Sequence, residues 1–356
     1  MIDWTKSMQQ TFDFFVVNPS SWRNETKLNK ITSCTITRDE EEATKETATI
    51  ECEELVEECY VRVYLVCVQD KERGEFPLGT FLVQTPTREF DGMTSKHSMD
   101  AYSPLLELKD SKPPYGYAVL KNTGIMERVY DLASENCRAP VVVPHDDEVL
   151  EADFVSDFDN DSWLSFLTDL AKNAKFKFAL DELGRILFSP DQTLASLQPV
   201  WTYNDDNSSI LLPEVSLDRD LYGIPNVVEV LVSNDTGFVL GVAENTDDNS
   251  PISIQNRGRR VVYRETNPSG LVNPTQAQID DYAENLLEKL SVFECKLTYT
   301  HGYCPVRVGD CVRLNYERAG INNVKAKVVS QSIKCKPGCP VTEKAVFTTK
   351  LWGVVS

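Results

Sequence analysis

The sequence holds only three histidines, His97, His145 and His301, and none of the short patterns that usually carry a reaction. There is no Gly-x-Ser-x-Gly, no His-Glu-x-x-His, no Walker loop and no dinucleotide-binding fingerprint. A nucleophile elbow, a zinc-protease helix, a phosphate cradle and a Rossmann cofactor turn therefore lack support. Long apolar runs are missing too. No stretch of eighteen apolar residues occurs and the first thirty residues carry polar and charged groups throughout, so neither a membrane span nor a signal peptide is expected, and the chain is expected to fold in a cytosol. Positive charge is scarce, with 36 Lys and Arg against 55 Asp and Glu and a formal charge of -19. That excess repels nucleic acid and anionic lipid beyond close contact, which argues against specific DNA binding while leaving an acidic wall that DNA could slide past.

What is present organises itself around residues 273 to 316. Asn273-Pro274-Thr275 is a helix-start signal, and Ile279, Tyr282, Ala283, Leu286, Leu287 and Leu290 follow at steps of three and four, one apolar stripe on an amphipathic helix. The period then changes to two, with Phe293, Cys295, Leu297 and Tyr299 alternating against polar residues as in a half-buried strand. His301-Gly302 is expected to turn the chain, and Gly309-Asp310 to make a second turn before Cys311-Val312-Arg313-Leu314. The helix is expected to lie on a β-barrel or sandwich.

With 356 residues the chain has room for two or three cores. Residues 1–105 read as a first β-barrel domain: an opening arm at 12–17, then strands at 31–36, 48–52, 60–68, 81–85 and 98–102, broken by charged or turn-forming stretches such as 70–74 and Asp91-Gly92. The acidic run 39–42 reads as a solvated hairpin tip. Residues 106–205 read as a mixed α+β domain behind a Pro113–Tyr117 elbow. It contains helices near Ile125–Ala133 and, after an Asp161-Ser162 cap, near Trp163–Leu170, then a hairpin through Asp181–Gly184. Residues 206–356 read as a second β-barrel domain with strands at 227–232, 325–333 and 342–352, an Asp235-Thr236-Gly237 turn and a helical insertion over about 241–292. The fold class is thus mainly β with α+β: two small antiparallel tube-type barrels, a mixed middle domain and a helical insertion.

Two patterns offer candidate ligands. Asp157, Asp159 and Asp161 alternate as in a calcium loop, but Ser162 stands where the loop needs Gly and Thr168 where it needs Glu, so a solvated helix start is expected. His301 and Cys304, with Cys335 and Cys339, offer four soft ligands for zinc, although their spacings of two and three residues do not match the regular pattern. The ten cysteines otherwise sit in strand-like runs, as Cys34, Cys52 and Cys67 do, and read as small buried hydrophobes. His97 and His145 read as surface residues, and the pairs Asp146-Asp147, Asp205-Asp206 and Asp247-Asp248 as solubilising loop acids. No catalytic, cofactor-binding or metal residue is assigned, and no enzyme activity is expected.

Three pieces, in this order, resemble the phage baseplate and tail-tip hub proteins: the trimeric hub of contractile tails and the hub portion of tail-associated proteins in long non-contractile tails. They are Leu78-Gly79-Thr80-Phe81-Leu82-Val83; Asp161 to Leu167 with Asp181 to Phe188; and Pro305 to Leu314 with its strand-Gly-Asp-strand turn. The cysteines between 304 and 339 depart from the family pattern and leave the zinc question open. The resemblance implies two tube-type barrels per subunit, and a homotrimer forming a ring of six similar barrels. It implies a tail tube or distal tail protein above, a central spike, fibre or tape-measure end below, DNA passing without specific binding, and assembly in the host cytoplasm into a virion tail. The competing expectations are a tail-associated cell-wall hydrolase, for which the sequence after the last strands leaves no room, and a carbohydrate-binding tail protein, against which the five tryptophans at 4, 22, 163, 201 and 352 are scattered.

Overall fold

Strands dominate, as the period-two patterns require. The computed structural model describes residues 2–350 except 91, 94, 145–147, 157–161, 220, 235–236 and 269–273. Asn273, Asp91, His145, Asp146, Asp147, the acids at 157, 159 and 161, Asp235-Thr236 and Trp352 lie outside the described residues. The chain divides into two compact units, Met1–Val215 with Thr298–Ala345, and Ser216–Leu297 with Val346–Ser356.

In the first unit, eight strands lie side by side in the spatial order Asn24–Leu28, Gln9–Val17, Tyr60–Gln69, Glu72–Phe90, Ser95–Tyr102, Glu46–Cys52, Ile31–Asp39 and Ile321–Lys334. Every neighbouring pair is antiparallel. Alternation sets the inner face: Cys34 and Ile36, Ala48 and Ile50, Met99 and Ala101 are buried on one core with Val63, Leu65, Leu78 and Phe81. Between Gln69 and Glu72 the turn is made by Asp70 and Lys71 with φ of 49° and 71°, the left-handed pair that matches the twist of a two-residue hairpin. The strand Asn24–Leu28 was not foreseen, because Asn-Glu-Thr-Lys-Leu has no apolar alternation; it is an edge strand held by backbone pairing to Gln9–Val17.

The same unit carries a helical part. The helices Ile125–Asn136 and Trp163–Asn173 join Leu105–Asp110 around Met126, Val129, Leu132, Phe166, Leu167 and Leu170. Ser162 caps the second of these by accepting from the Ser165 amide, as its position before Trp163 suggested. The hairpin Phe176–Leu180 and Ile186–Pro190 turns at Gly184, whose φ is 73° and where an added Cβ would lie 2.7 Å from the Thr80 Cβ. Its Leu183 carbonyl accepts from Trp22 Nε1 at 2.7 Å and from an Arg62 guanidinium nitrogen at 3.0 Å, tying the turn to the strand region. Finally, Cys311–Tyr316 pairs antiparallel with Ile321–Lys334 and parallel with Pro199–Asn204. Gly309, with φ 96°, makes the expected turn ahead of it.

In the second unit, Val227–Asn234 pairs antiparallel with Gly237–Glu244 and parallel with Val262–Thr266. The helix Gln276–Leu290 begins at Thr275, whose side chain and Gln278 form a reciprocal capping box. It buries Ile279, Ala283 and Leu287 on Val228, Val230, Val232 and Ala243, with Tyr282, Leu286 and Leu290 at the margins. The stripe is the expected one. Its partner differs from the expected barrel: it is this three-stranded sheet, whose valine-rich inner phase complements the helix. Close approach is permitted at Gly241, where a Cβ would meet the Ile279 carbonyl oxygen at 2.6 Å.

Val292–Gly302 alternates as expected, burying Phe293, Cys295, Leu297, Tyr299 and His301. The turn expected at His301-Gly302 is therefore corrected. Both residues finish the strand, and His301 points inward because it falls in the same phase as Tyr299.

Candidate functional site

Within the first unit the inward phases of several strands place polar side chains where apolar ones would ordinarily sit. Glu343 lies between Val341 and Ala345, and Arg38 follows Cys34 and Ile36, in each case at alternate positions of a strand. Burial of a lone charge is costly, so each must find partners. His301 Nε2 lies 3.3 Å from Glu343 Oε1, with neither side chain exposed. Its Nδ1 lies 2.6 Å from the Gly302 carbonyl. Tyr299 donates its hydroxyl to Glu343 Oε2 at 2.7 Å, and Tyr203 donates to the same oxygen at 3.2 Å while lying 3.1 Å from His301 Nε2 and 3.3 Å from Cys304 Sγ.

Gln331 extends the network. Its Nε2 donates to Glu343 Oε1 at 2.6 Å and to the Val306 carbonyl at 2.8 Å, and its Oε1 accepts from an Arg38 terminal nitrogen at 3.1 Å. The other terminal nitrogen of Arg38 donates to the Leu78 carbonyl at 2.5 Å. Burial pushes the His301 imidazolium toward losing its proton, but hydrogen bonds to Cys304 and Glu343 outweigh this and raise its pKa to about 10. Burial raises Glu343 while the bonds from His301, Tyr299 and Gln331 lower it, and the net direction is down. Both groups are thus charged at neutral pH. Burial, and then the Glu343 charge, hold both tyrosine hydroxyls protonated. A histidine and a carboxylate so enclosed have no route to a substrate, so the arrangement is structural.

One open feature among the described residues of this unit is a cleft of about 340 Å³, beside the acidic loop and the strand Phe176–Leu180. Arg38 and Glu46 lie among its lining residues, both nearly inaccessible, with Arg38 Nε 3.3 Å from Glu46 Oε1. Burial raises the Glu46 carboxyl. On its wall, Glu40 Oε1 accepts from Lys327 at 2.7 Å and also from Lys177. The run 39–42 is therefore more than a solvated tip, since Glu40 is drawn inward by two lysines while Glu41 and Glu42 stay exposed.

The sequence candidates fall elsewhere. Among the described residues no group of three or more His, Cys, Asp or Glu side chains is placed to hold a metal ion. His301 and Cys304 do meet, with Nδ1 and Sγ 3.8 Å apart. Cys335 instead shares a thiol hydrogen bond with the free Cys34, which with burial raises its pKa, and Cys339 is buried with Cys34, Ile36 and Val341 in the core of the strand-rich part. His97, expected at the surface, is 7% exposed because it takes the inward phase of Ser95–Tyr102. Asp205 is held by Arg318 in a two-pronged ion pair, one contact at 2.7 Å. Asp247 accepts from the Asn249 amide at 2.9 Å within its own loop. Glu343, Gln331, Arg38 and Tyr203 are not singled out by the sequence, and Tyr299 only as an inward strand residue, although a charged residue in the buried phase of a clear alternation is a usable signal.

No protein-family model and no curated protein sequence matches the chain. Solved structures do. The tail protein from Neisseria meningitidis MC58 is similar at 13% identity and TM-score 0.60, over 95% of this chain and 96% of that one. The 43 kDa tail protein of prophage MuSo2 from Shewanella oneidensis is similar at 12% identity and TM-score 0.59, over 96% and 98%. A chain of the half-lidded Francisella PdpA-VgrG complex is similar at 9% identity and TM-score 0.57, over 99% of this chain and 60% of that one. The fold is that of phage tail proteins and of a VgrG-complex component, and the resemblance drawn from residues 78–83, 161–167 with 181–188, and 305–314 holds at the level of fold.

Proposed function

We propose that the chain is a structural subunit of a phage tail tip or baseplate, or of a related phage-tail-like particle. The observation that carries this reading is the likeness to two tail proteins along almost the whole length of both chains. On this reading residues 1–105 and 206–356 supply two barrel-type domains and residues 106–205 the mixed domain between them. Three copies form a hub of pseudo-six-fold symmetry joining the tail tube or distal tail protein to a central spike, fibre or tape-measure end. DNA passes along its channel without specific binding, and the protein resides in the virion tail after assembly in the host cytoplasm.

The interior of the first unit is in keeping with a non-enzymatic role, because His301 and Glu343, a closely paired histidine and carboxylate among the described residues, are both sealed from solvent. Closed symmetry is the usual outcome for such subunits. Light scattering on the purified protein, followed by negative-stain microscopy, tests the assembly: a threefold mass and ring-shaped particles are expected. A protein that stays monomeric at high concentration and in the presence of its tail-tube neighbour overturns the hub.

A further inference from the structure

The cleft described above carries more positive groups than its own carboxylates engage. Arg38, Lys45, Lys177, Arg307 and Lys327 all line it, against the four carboxylates of Asp39, Glu40, Glu46 and Asp310, in a chain whose formal charge is -19. Lys177 and Lys327 are both spent on Glu40. Arg307 is paired with Glu182 at 2.8 Å. Lys45 is different: its ammonium donates to the Glu40 backbone carbonyl at 2.6 Å, and no carboxylate pairs with it among the described residues. It is half-buried, and burial lowers its pKa. Deeper in, Arg38 Nε is buried without a hydrogen-bond acceptor, since the Glu46 oxygen 3.3 Å away lies off the N–H direction.

Beside these donors the accessible apolar lining comes from the half-buried Leu187 and Leu197, backed by the buried Phe178 and Leu180. The volume of about 340 Å³ is in the lower part of the range of roughly 300–1,000 Å³ found for ligand pockets. We propose that the cleft docks an acidic peptide segment of a partner protein, with a carboxylate on Lys45 and an adjacent large apolar side chain against Leu187 and Leu197. Charge complementarity favours a carboxylate. The apolar wall favours a peptide over a free anion, because a bare anion leaves that wall in water. Glu40 acts as the internal competitor: its carboxylate holds two of the lysines that an incoming carboxylate would otherwise reach.

Calorimetric titration with the capped peptide acetyl-Gly-Glu-Phe-Glu-Leu-Gly-amide tests this on the full chain, alongside the same peptide with glutamine in place of both glutamates and alongside inorganic phosphate. Saturable binding is expected for the acidic peptide, at least tenfold weaker for the glutamine peptide and for phosphate. Lys45→Gln should weaken the acidic peptide about tenfold, and Glu40→Gln should tighten it several-fold by freeing Lys177 and Lys327. Mass-spectrometric mapping should show Lys45 protected from acetylation by the acidic peptide. The glutamine peptide needs no protein variant, so a poorly folded variant does not blunt the test. No saturable binding to either the natural chain or Glu40→Gln, equal binding of both peptides, phosphate binding as tightly as peptide, or unprotected Lys45 each overturns the proposal.

Discussion

His301 Nε2 and Glu343 Oε1 stand 3.3 Å apart with no solvent access to either side chain. An ion pair removed from water gains attraction in a low-dielectric interior but loses the hydration of both partners, and the balance depends on how well the remaining lone pairs and protons are met. Here they are met: Glu343 accepts from Tyr299, Tyr203 and Gln331, and His301 Nδ1 has the Gly302 carbonyl.

Removing one charge should therefore hurt more than removing both. Glu343→Gln strands a buried imidazolium, and a loss of about 3–5 kcal/mol is expected, as for other broken buried pairs. Denaturant unfolding of Glu343→Gln, His301→Gln and the double variant measures this. A double variant as unstable as the two single losses added together rules out the coupling.

The pair also sets a pH dependence. The His301 pKa is raised to about 10 from its ordinary 6.5, so its contribution is complete below about 6.5 and fades as pH climbs toward 10. Glu343 is lowered from its ordinary 4.5, so its contribution is present above that value and is lost as pH falls through the folded-state pKa. Stability from the pair is thus greatest between about 4.5 and 6.5. Unfolding at pH 6 and pH 9.5 should show a decline in the natural protein that is smaller in His301→Gln; equal declines refute it.

On the helix Gln276–Leu290, Leu287 is fully buried whereas Leu286 is only partly so. Leu287→Ala should cost about 2–5 kcal/mol, and Leu286→Ala distinctly less. Thermal unfolding of both variants decides it, and equal effects would contradict the helix phase.

Gly241→Ala places a methyl group 2.6 Å from the Ile279 carbonyl oxygen, a backbone atom that cannot rotate away. The helix must shift off its sheet, for an expected loss of about 1–3 kcal/mol typical of overpacking. Hydrogen exchange should quicken across 227–244 and 276–290, and unchanged exchange in both segments speaks against the contact.

With a formal charge of -19, no measurable association with double-stranded DNA is expected at physiological salt. A gel-shift titration checks this. Tight, salt-resistant retardation would contradict a channel through which DNA passes freely.

Much of the architecture was legible because it is local. Period-two alternation located strands over 31–36, 60–68 and 293–299, which the fold extends to Ile31–Asp39, Tyr60–Gln69 and Val292–Gly302, and three-four spacing over 279–290 located the helix Gln276–Leu290. The strand Asn24–Leu28 was not, because backbone pairing rather than side-chain pattern holds a polar edge strand in place. The polar interior was hidden for another reason. Arg38 and Gln331 are 293 positions apart, and Glu40 finds its lysines 137 and 287 positions away, so nothing local distinguishes these residues from solvated ones. Only the phase of each strand hinted at burial, and phase does not reveal the partner.

The pairing of Ile31–Asp39 with Ile321–Lys334 also bears on how the molecule comes into being. As the chain leaves the ribosome, strands from the first hundred residues can zip together early, yet Ile31–Asp39 keeps one row of amides and carbonyls bare until the region near 330 is made. For that interval the nascent sheet offers a template to any other extended segment, including its twin on a neighbouring ribosome. Fragments truncated before Ile321 should consequently sediment as oligomers, and supplying the missing strand in trans should return them to solution.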